Sequence, residues 1–289
     1  MPDTAATRHA RQIEAWNGLM GAQWAASEAR TERALAPVLE ALLAYAGPSP
    51  GQRVVDVGCG AGGTTQRLAN TVGPAGEVTG IDVSAVILNA ARARLAGTEN
   101  ARLELADALT WQRTGAPADL LFSRFGVMFF GDPVAAFANL RQSLKPGGRF
   151  AFAAWAALAD NPWITVPLAA AATVVPPPPP PDPDEPHGDE PGQFAFGNPA
   201  RVLRILHDAG FPAVDLRAFD FAMRFPADDL AQTAAGMTTM GNVGRLLRDR
   251  SEAERAQAAE AIAAVLPPYI QGNRVALPAR VWLFKAHNA

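Results

Sequence analysis

The stretch that most restricts what this chain can fold into is Val-Val-Asp-Val-Gly-Cys-Gly-Ala-Gly-Gly at residues 54 to 63. A short β-branched run that stops at glycine reads as a buried strand. The glycines that follow express a tight strand-to-helix turn in which backbone approaches a ligand too closely for a Cβ. An ordinary turn accounts for one such glycine, less readily for Gly58, Gly60, Gly62 and Gly63 together. Gly58, Gly60 and Gly63 also satisfy the G-x-G-x-x-G spacing, with Asp82 further along, so a dinucleotide-binding loop is the first reading to test.

The rest of the chain gives the loop its setting. Residues 8 to 46 carry apolar side chains at helical spacing in two blocks, Ile13, Trp16, Leu19 and Met20, then Leu35, Val38, Leu39, Leu42 and Leu43; Gly47-Pro48-Ser49-Pro50-Gly51 stops the second block. Short apolar runs at 53–57, 77–81, 101–105, 119–123 and 149–154 then alternate with amphipathic stretches at 63–71, 84–96 and 133–143. Such alternation predicts a mostly parallel sheet with helices on both faces, a three-layer α/β sandwich. Beyond Trp155 the rhythm breaks. A helix is expected from Pro162 to Val175, followed by a proline-rich, acidic loop over 176–191 that is neither helix nor central strand. A helix over 199–209, a strand near 214–221, helix over about 227–266 and a closing strand at 280–285 complete the reading. Four segments are expected: a helical lid (1–50), the cofactor-binding core (51–155), an insertion with the proline-rich loop (156–197), and the C-terminal part of the core with a helical cap (198–289).

Two features separate the ligand readings. Asp56 stands two residues before the first glycine, where a carboxylate repels a pyrophosphate and favours a ligand carrying positive charge. S-adenosylmethionine has no phosphate but has an ammonium and a sulfonium. The strand ends that follow suit the same ligand. Asp82, in Gly-Ile-Asp-Val-Ser with Val83, can accept from both ribose hydroxyls; Asp107, in Ala-Asp-Ala-Leu with Ala108, can accept from an adenine amine. Ser123, Arg124 and Phe125 line the cleft beneath the methionine part. Aspartate also caps helices at such junctions, but its joint occurrence with Asp56 and the glycines argues against capping alone. Arg124, a cation near a sulfonium, requires a carboxylate partner on a neighbouring element or on the cofactor.

Composition excludes several alternatives. The chain has 289 residues, 49% hydrophobic and 18% charged, with a formal net charge of -3, which offers no footprint for nucleic acid. Cys59 is the single cysteine, so no intrachain disulfide forms, and four scattered histidines suggest no metal cluster. No apolar stretch approaches the roughly 20 residues of a membrane span. A cytoplasmic protein is expected, and the scarcity of lysine beside abundant arginine and alanine points to a GC-rich bacterial genome. Oligomerisation is left open.

With these motifs in hand, the chain resembles the class I S-adenosylmethionine-dependent methyltransferases, in particular the group that includes the ubiquinone- and menaquinone-pathway and small-molecule enzymes. The resemblance covers roughly residues 12 to 155 and rests on Val54–Gly63, Gly80–Ser84, Ala106–Leu109, Ser123–Phe130 and Leu144–Gly148. It implies a Rossmann-like fold of seven strands with the last antiparallel, N-terminal helices over the cofactor, and a part for Trp16 and Trp24 in closing the site. Helix packing is the equal alternative for those tryptophans.

Methyl transfer from a sulfonium is an in-line displacement with an already activated donor, so the enzyme mainly positions the nucleophile and excludes water. His187 and His9 are the candidates for a general base, against an ordinary surface role. Met128, Trp155, Phe194 and Phe196 are candidate walls of an acceptor pocket, with Phe129 and Trp163 read as ordinary core. The expected activity yields S-adenosylhomocysteine from a small, apolar or aromatic O-, N- or C-acceptor, with no metal. The competing functions are non-methylating chemistry on the same fold (cyclisation or dehalogenation), a non-catalytic binding protein using the proline loop, and, more distantly, a nicotinamide dehydrogenase.

Overall fold

A computed structural model describes residues 4–176 and 190–289 of the chain. Two helices come first, α1 (Ala5–Asn17) and α2 (Leu19–Ala46). Thr4 caps α1 by accepting from the Thr7 amide, and Gly18 breaks the helical path between the two. Helix α2 ends at Gly47, whose φ of 62° is the left-handed conformation that glycine adopts at helix C-termini. It contains Pro37, and its buried face beyond that point is Val38, Leu39, Leu42, Leu43, Tyr45 and Ala46.

The expected alternation follows: β1 (Arg53–Val57), α3 (Gly63–Val72), β2 (Glu77–Asp82), α4 (Ala85–Arg94), β3 (Ala101–Leu105), β4 (Ala118–Arg124), α5 (Pro133–Arg141) and β5 (Leu144–Trp155). Then come α6 (Pro162–Ala172), α7 (Pro199–Asp208), β6 (Ala213–Pro226), α8 (Leu230–Met237), α9 (Gly241–Leu247), α10 (Glu252–Val265), β7 (Ile270–Gln271) and β8 (Arg274–His287). Helix starts carry the expected chemistry. Ser84 caps α4, Asp132 caps α5 ahead of Pro133, and Ser251 with Glu254 forms a capping box on α10.

The strands lie in the order β3-β2-β1-β4-β5-β8-β6, with the two-residue β7 paired only to β8. Neighbours from β3 through β5 are parallel, and β8 runs antiparallel to β5, with Phe152 opposite Phe284. This is the seven-stranded, Rossmann-like sheet expected, plus one short hairpin arm. Val54, Val55, Leu120, Leu121, Phe122, Phe150 and Phe152 are wholly buried, as strands covered on both faces require. Sequence order reverses between β1 and β4, and open α/β sheets bind ligands at the carboxyl ends of the strands beside such a reversal.

The described residues divide into two compact units. One comprises those of 1–156, 188–219 and 281–289; the other those of 157–187 and 220–280. The lid helices and the core strands, expected as separate segments, thus share one unit. The second unit holds α6 and α8 to α10, where Trp163, Ile164, Pro167, Phe225, Met237, Met240 and Val243 surround a narrow apolar slot. Trp163 is interior there, as read. The helical stretch at 227–266 is three helices, because Gly241 (φ 48°) and the Ser251 cap interrupt it. Strand β8 begins earlier than expected, and Val275, Ala276, Leu277 and Ala279 in the added length are all buried. Of the proline-rich loop at 176–191, residues 177–189 fall outside the described residues, and His187 with them.

Candidate functional site

At the β1–β4 reversal two glycines meet. Gly58 has φ 68°, and a Cβ built on it would lie 2.8 Å from the Gly126 Cα, so the loops after β1 and β4 approach to backbone contact. Gly60 (φ 55°) and Gly62 (φ 82°) continue the left-handed turns. The amides of Gly58 and Cys59 both donate to the Ile81 carbonyl, at 2.9 and 3.0 Å. Cys59, assigned by sequence to the cofactor side, turns its side chain into the core against Leu88, Ala91 and Leu103, and burial holds its thiol well above the usual range. Only its main chain remains to face the loop.

The two acids expected on the adenosine side are held by backbone amides. Asp82 accepts from the Gly60 amide through Oδ2 and from the Ser84 amide through Oδ1, both at 2.9 Å. Capping of α4 falls to Ser84, which accepts from the Ile87 amide, so the capping alternative for Asp82 fails. Burial raises the Asp82 pKa against the pull of those amides. Asp107 caps no helix either. Its Oδ1 accepts from the Leu109 amide at 2.9 Å, closing an Asx turn, and its Oδ2 lies 2.6 Å from His9 Nε2. His9 is thereby placed on Asp107, the acid expected beside the adenine. The Val83 carbonyl accepts from Asn17 and the Ala108 carbonyl from Asn139, which fixes both loops to flanking helices.

The other side of the site is built differently. Asp56 is buried. Its Oδ2 accepts from the Thr65 hydroxyl at 2.7 Å, while its Oδ1 has no hydrogen-bond partner. Its side chain is packed against Thr65 of α3. Burial pushes its pKa up to about 7, opposed by the Thr65 hydrogen bond and the Arg124 charge and reinforced by Asp82 and Glu32. Arg124, largely buried, meets the acid that its charge requires in Glu32 of α2, to which Nη2 donates; its Nη1 is buried without a partner. Ser123, assigned to the cofactor, instead donates to the Val57 carbonyl at 2.7 Å and accepts from the Gly126 amide, tying the ends of β4 and β1 together. Phe125 is the one non-glycine residue with positive φ (68°) among those described, a strained conformation for a bulky side chain. Its ring stacks on Trp155 at 4.9 Å.

The lid helices close over these loops. Trp16 packs edge-on against Trp24 and Phe129, its carbonyl accepts from the Ser84 hydroxyl, and the Trp24 indole nitrogen lies beside Gly60. Of the expected acceptor walls, Met128 and Trp155 are buried side by side, the Trp155 amide 3.4 Å from the Met128 sulfur. Phe194 is half-buried in a turn closed by the Gly197 amide. Phe196 is corrected: it is core, packed against Phe137 and Phe152.

Residues 54–148 match the family model described as a methyltransferase domain. Over that third of the chain the sequence is similar to the class I S-adenosylmethionine-dependent methyltransferases. Trans-aconitate 2-methyltransferase of Acidovorax sp. (strain JS42) is 36% identical over 112 residues, 39% of this chain and 41% of that protein. Demethylmenaquinone methyltransferase of Staphylococcus aureus is 36% identical over 102 residues, 35% of this chain and 42% of that protein. The chain thus spans about two fifths of the length of these curated relatives. A solved structure of a putative methyltransferase from Bacillus halodurans shares the fold at a TM-score of 0.54, with 16% identity over 86% of this chain and 97% of that one.

The residues at this site are chemically compatible with S-adenosylmethionine. Asp82 presents a carboxylate fixed by two amides, and the unmatched Asp56 Oδ1 and Arg124 Nη1 would offer one acceptor and one donor to an amino-acid arm, while Gly58 and Gly62 serve the close packing of the loop on Gly126 and Ala91. Glu32, Thr65 and Asn17 escaped the sequence reading. For Glu32 a signal existed: Trp24, Glu28 and Glu32 recur at every fourth residue, one face of α2, and all three reach the core, at Gly60, Arg94 and Arg124. Among the described residues no group of three His, Cys, Asp or Glu side chains is placed to hold a metal ion, and no helix is long and apolar enough to cross a membrane.

Proposed function

We propose that this chain transfers a methyl group from S-adenosylmethionine to a small apolar or aromatic acceptor. The observation that carries this reading is the pair of unmatched buried groups, Asp56 Oδ1 and Arg124 Nη1, beside a carboxylate, Asp82, already set by two amides. A buried polar atom without a partner costs on the order of 1–3 kcal/mol, which a complementary ligand recovers. An ammonium suits Asp56, a carboxylate suits Arg124, and ribose hydroxyls suit the lone pairs that Asp82 has left.

The cofactor supplies an electrophilic methyl group that needs no further activation. What the chain adds is position and exclusion of water. Phe125, stacked on Trp155, and Met128 form an apolar wall at the end of β4, and the segment that carries the half-buried Phe194 is tied to it by the Gly192 amide, which donates to the Met128 carbonyl. His9 serves Asp107 in this reading rather than acting as a base. The relatives' names, a trans-aconitate and a demethylmenaquinone enzyme, cover a carboxylic acid and an apolar ring; the aromatic wall favours the latter class of acceptor.

The test is incubation with methyl-labelled S-adenosylmethionine and a panel of phenols, quinols and carboxylic acids, following label in the acceptor and S-adenosylhomocysteine in parallel. Labelled product with equal S-adenosylhomocysteine is expected. Turnover without S-adenosylhomocysteine would move the protein to non-methylating chemistry, and tight NAD binding with no response to S-adenosylmethionine would overturn the reading.

A further inference from the structure

Helix α3 begins at Gly63 directly after the glycine turn, with no side-chain cap, so its first-turn amides and the positive end of its dipole face the loop. In a phosphate-binding loop of this shape that position receives the phosphate. Here it receives Glu32: a Cβ on Gly63 would stand 2.9 Å from the Glu32 carboxylate. The same carboxylate pairs with the largely buried Arg124 and adds repulsion at Asp56. Three charges therefore sit together, Glu32 and Asp56 negative and Arg124 positive, with a local excess of negative charge whenever Asp56 is ionised.

From this geometry we infer that Glu32 is the charge-selectivity residue of the cofactor pocket. It occupies the end of α3 against phosphate and, by neutralising Arg124, leaves the pocket selective for a cationic nucleoside over an anionic one. The inference rests on the cofactor reading above and adds a residue that acts through Arg124 and through the field at α3. Neutralising Glu32 removes one negative charge without removing volume, and the response must follow the charge of the ligand.

The experiment is calorimetric titration of the full chain and its Glu32→Gln variant with three probes that share an adenosine body: S-adenosylmethionine (net positive), 5′-methylthioadenosine (neutral) and ADP (anionic). Glu32→Gln is expected to weaken S-adenosylmethionine about threefold, leave 5′-methylthioadenosine within twofold, and strengthen ADP about tenfold, the size of one nearby charge at an intermediate dielectric. A lid that merely packs less well would shift all three probes in the same direction, and that outcome, or no change in the ratio of S-adenosylmethionine to ADP affinity, overturns the inference. Glu32→Asp, which keeps the charge, is expected to hold that ratio near the wild-type value. Failure of the cofactor reading shows separately, as absence of S-adenosylmethionine binding in the wild-type protein.

Discussion

The two ends of the proposed cofactor site reach their order by different means. At the adenosine end, Asp82 and Asp107 are held by main-chain amides two residues on or across the loop, so the carboxylates are set by the path of the backbone itself. At the methionine end, Asp56 and Arg124 are more deeply enclosed, are held by side chains of α3 and α2, and each keeps one polar atom unmatched. The first end is preorganised and complete. The second carries unmatched polar atoms and like-charge repulsion that the charges of the proposed ligand would relieve. Recognition of the nucleoside and recognition of the amino-acid arm are therefore separable by mutation.

The largest effect belongs to the adenosine end. Asp82→Ala removes the ribose acceptor and frees the Gly60 and Ser84 amides at once; two charge-assisted hydrogen bonds of roughly 1.5–3 kcal/mol each imply at least about a hundredfold loss of S-adenosylhomocysteine affinity by calorimetry. Unchanged affinity would erase the distinction between the ends.

Asp56→Asn probes the other end through pH. The folded-state pKa of about 7 lies above the ordinary 3.8, so the folded protein binds the proton more tightly than the unfolded chain does. Stability from this group is full below about pH 3.8 and is lost as pH rises towards 7. Relative to wild type, the asparagine variant should gain melting temperature progressively between pH 4 and 7.5. Wild-type affinity for S-adenosylmethionine should rise through about pH 7 as the carboxylate ionises, while the variant's stays flat. Parallel pH profiles would show that Asp56 does not titrate there.

The smallest effect is expected for His9→Ala. The partly exposed contact to Asp107 contributes on the order of 1 kcal/mol, seen in urea unfolding, and cofactor affinity should change less than about threefold because the Leu109 amide still holds the carboxylate. A larger loss of affinity would mean that the lid, not the backbone, sets the adenosine end.

What the sequence made legible follows the same division. Asp82 and Asp107 work through local turns, and local turns are written in neighbouring residues, as are the strand alternation and the glycine loop. Glu32 lies 92 positions from Arg124; its place on the Trp24–Glu28–Glu32 face and the need of Arg124 for an acid are each legible, but their pairing is a long-range contact that spacing does not encode. The side chains of Ser123 and Cys59 turn inward, which period and motif do not reveal, because they say which strand end a residue occupies but not which way its side chain points. Phe196 is a similar case: an aromatic in an irregular segment, whose place among Phe137 and Phe152 depends on a packing that spacing does not encode. The division of 227–266 into three helices was present locally, at Gly241 and in the Ser251–Glu254 capping box, but a continuous alanine-rich composition concealed it.

Helix α2, about 42 Å long at 1.5 Å per residue, is mechanically two rods. Pro37 has no amide to offer the Arg33 carbonyl, so the helix is softest at that turn. Behind it the rod is bolted to the sheet by Val38, Leu39, Leu42 and Leu43; ahead of it lie Trp24, Glu28 and Glu32, the three residues that touch the cofactor loop and its surroundings. The division of labour follows the break: the rear rod serves the sheet's hydrophobic interior, and the front rod meets the loop mainly through Trp24 and two carboxylates.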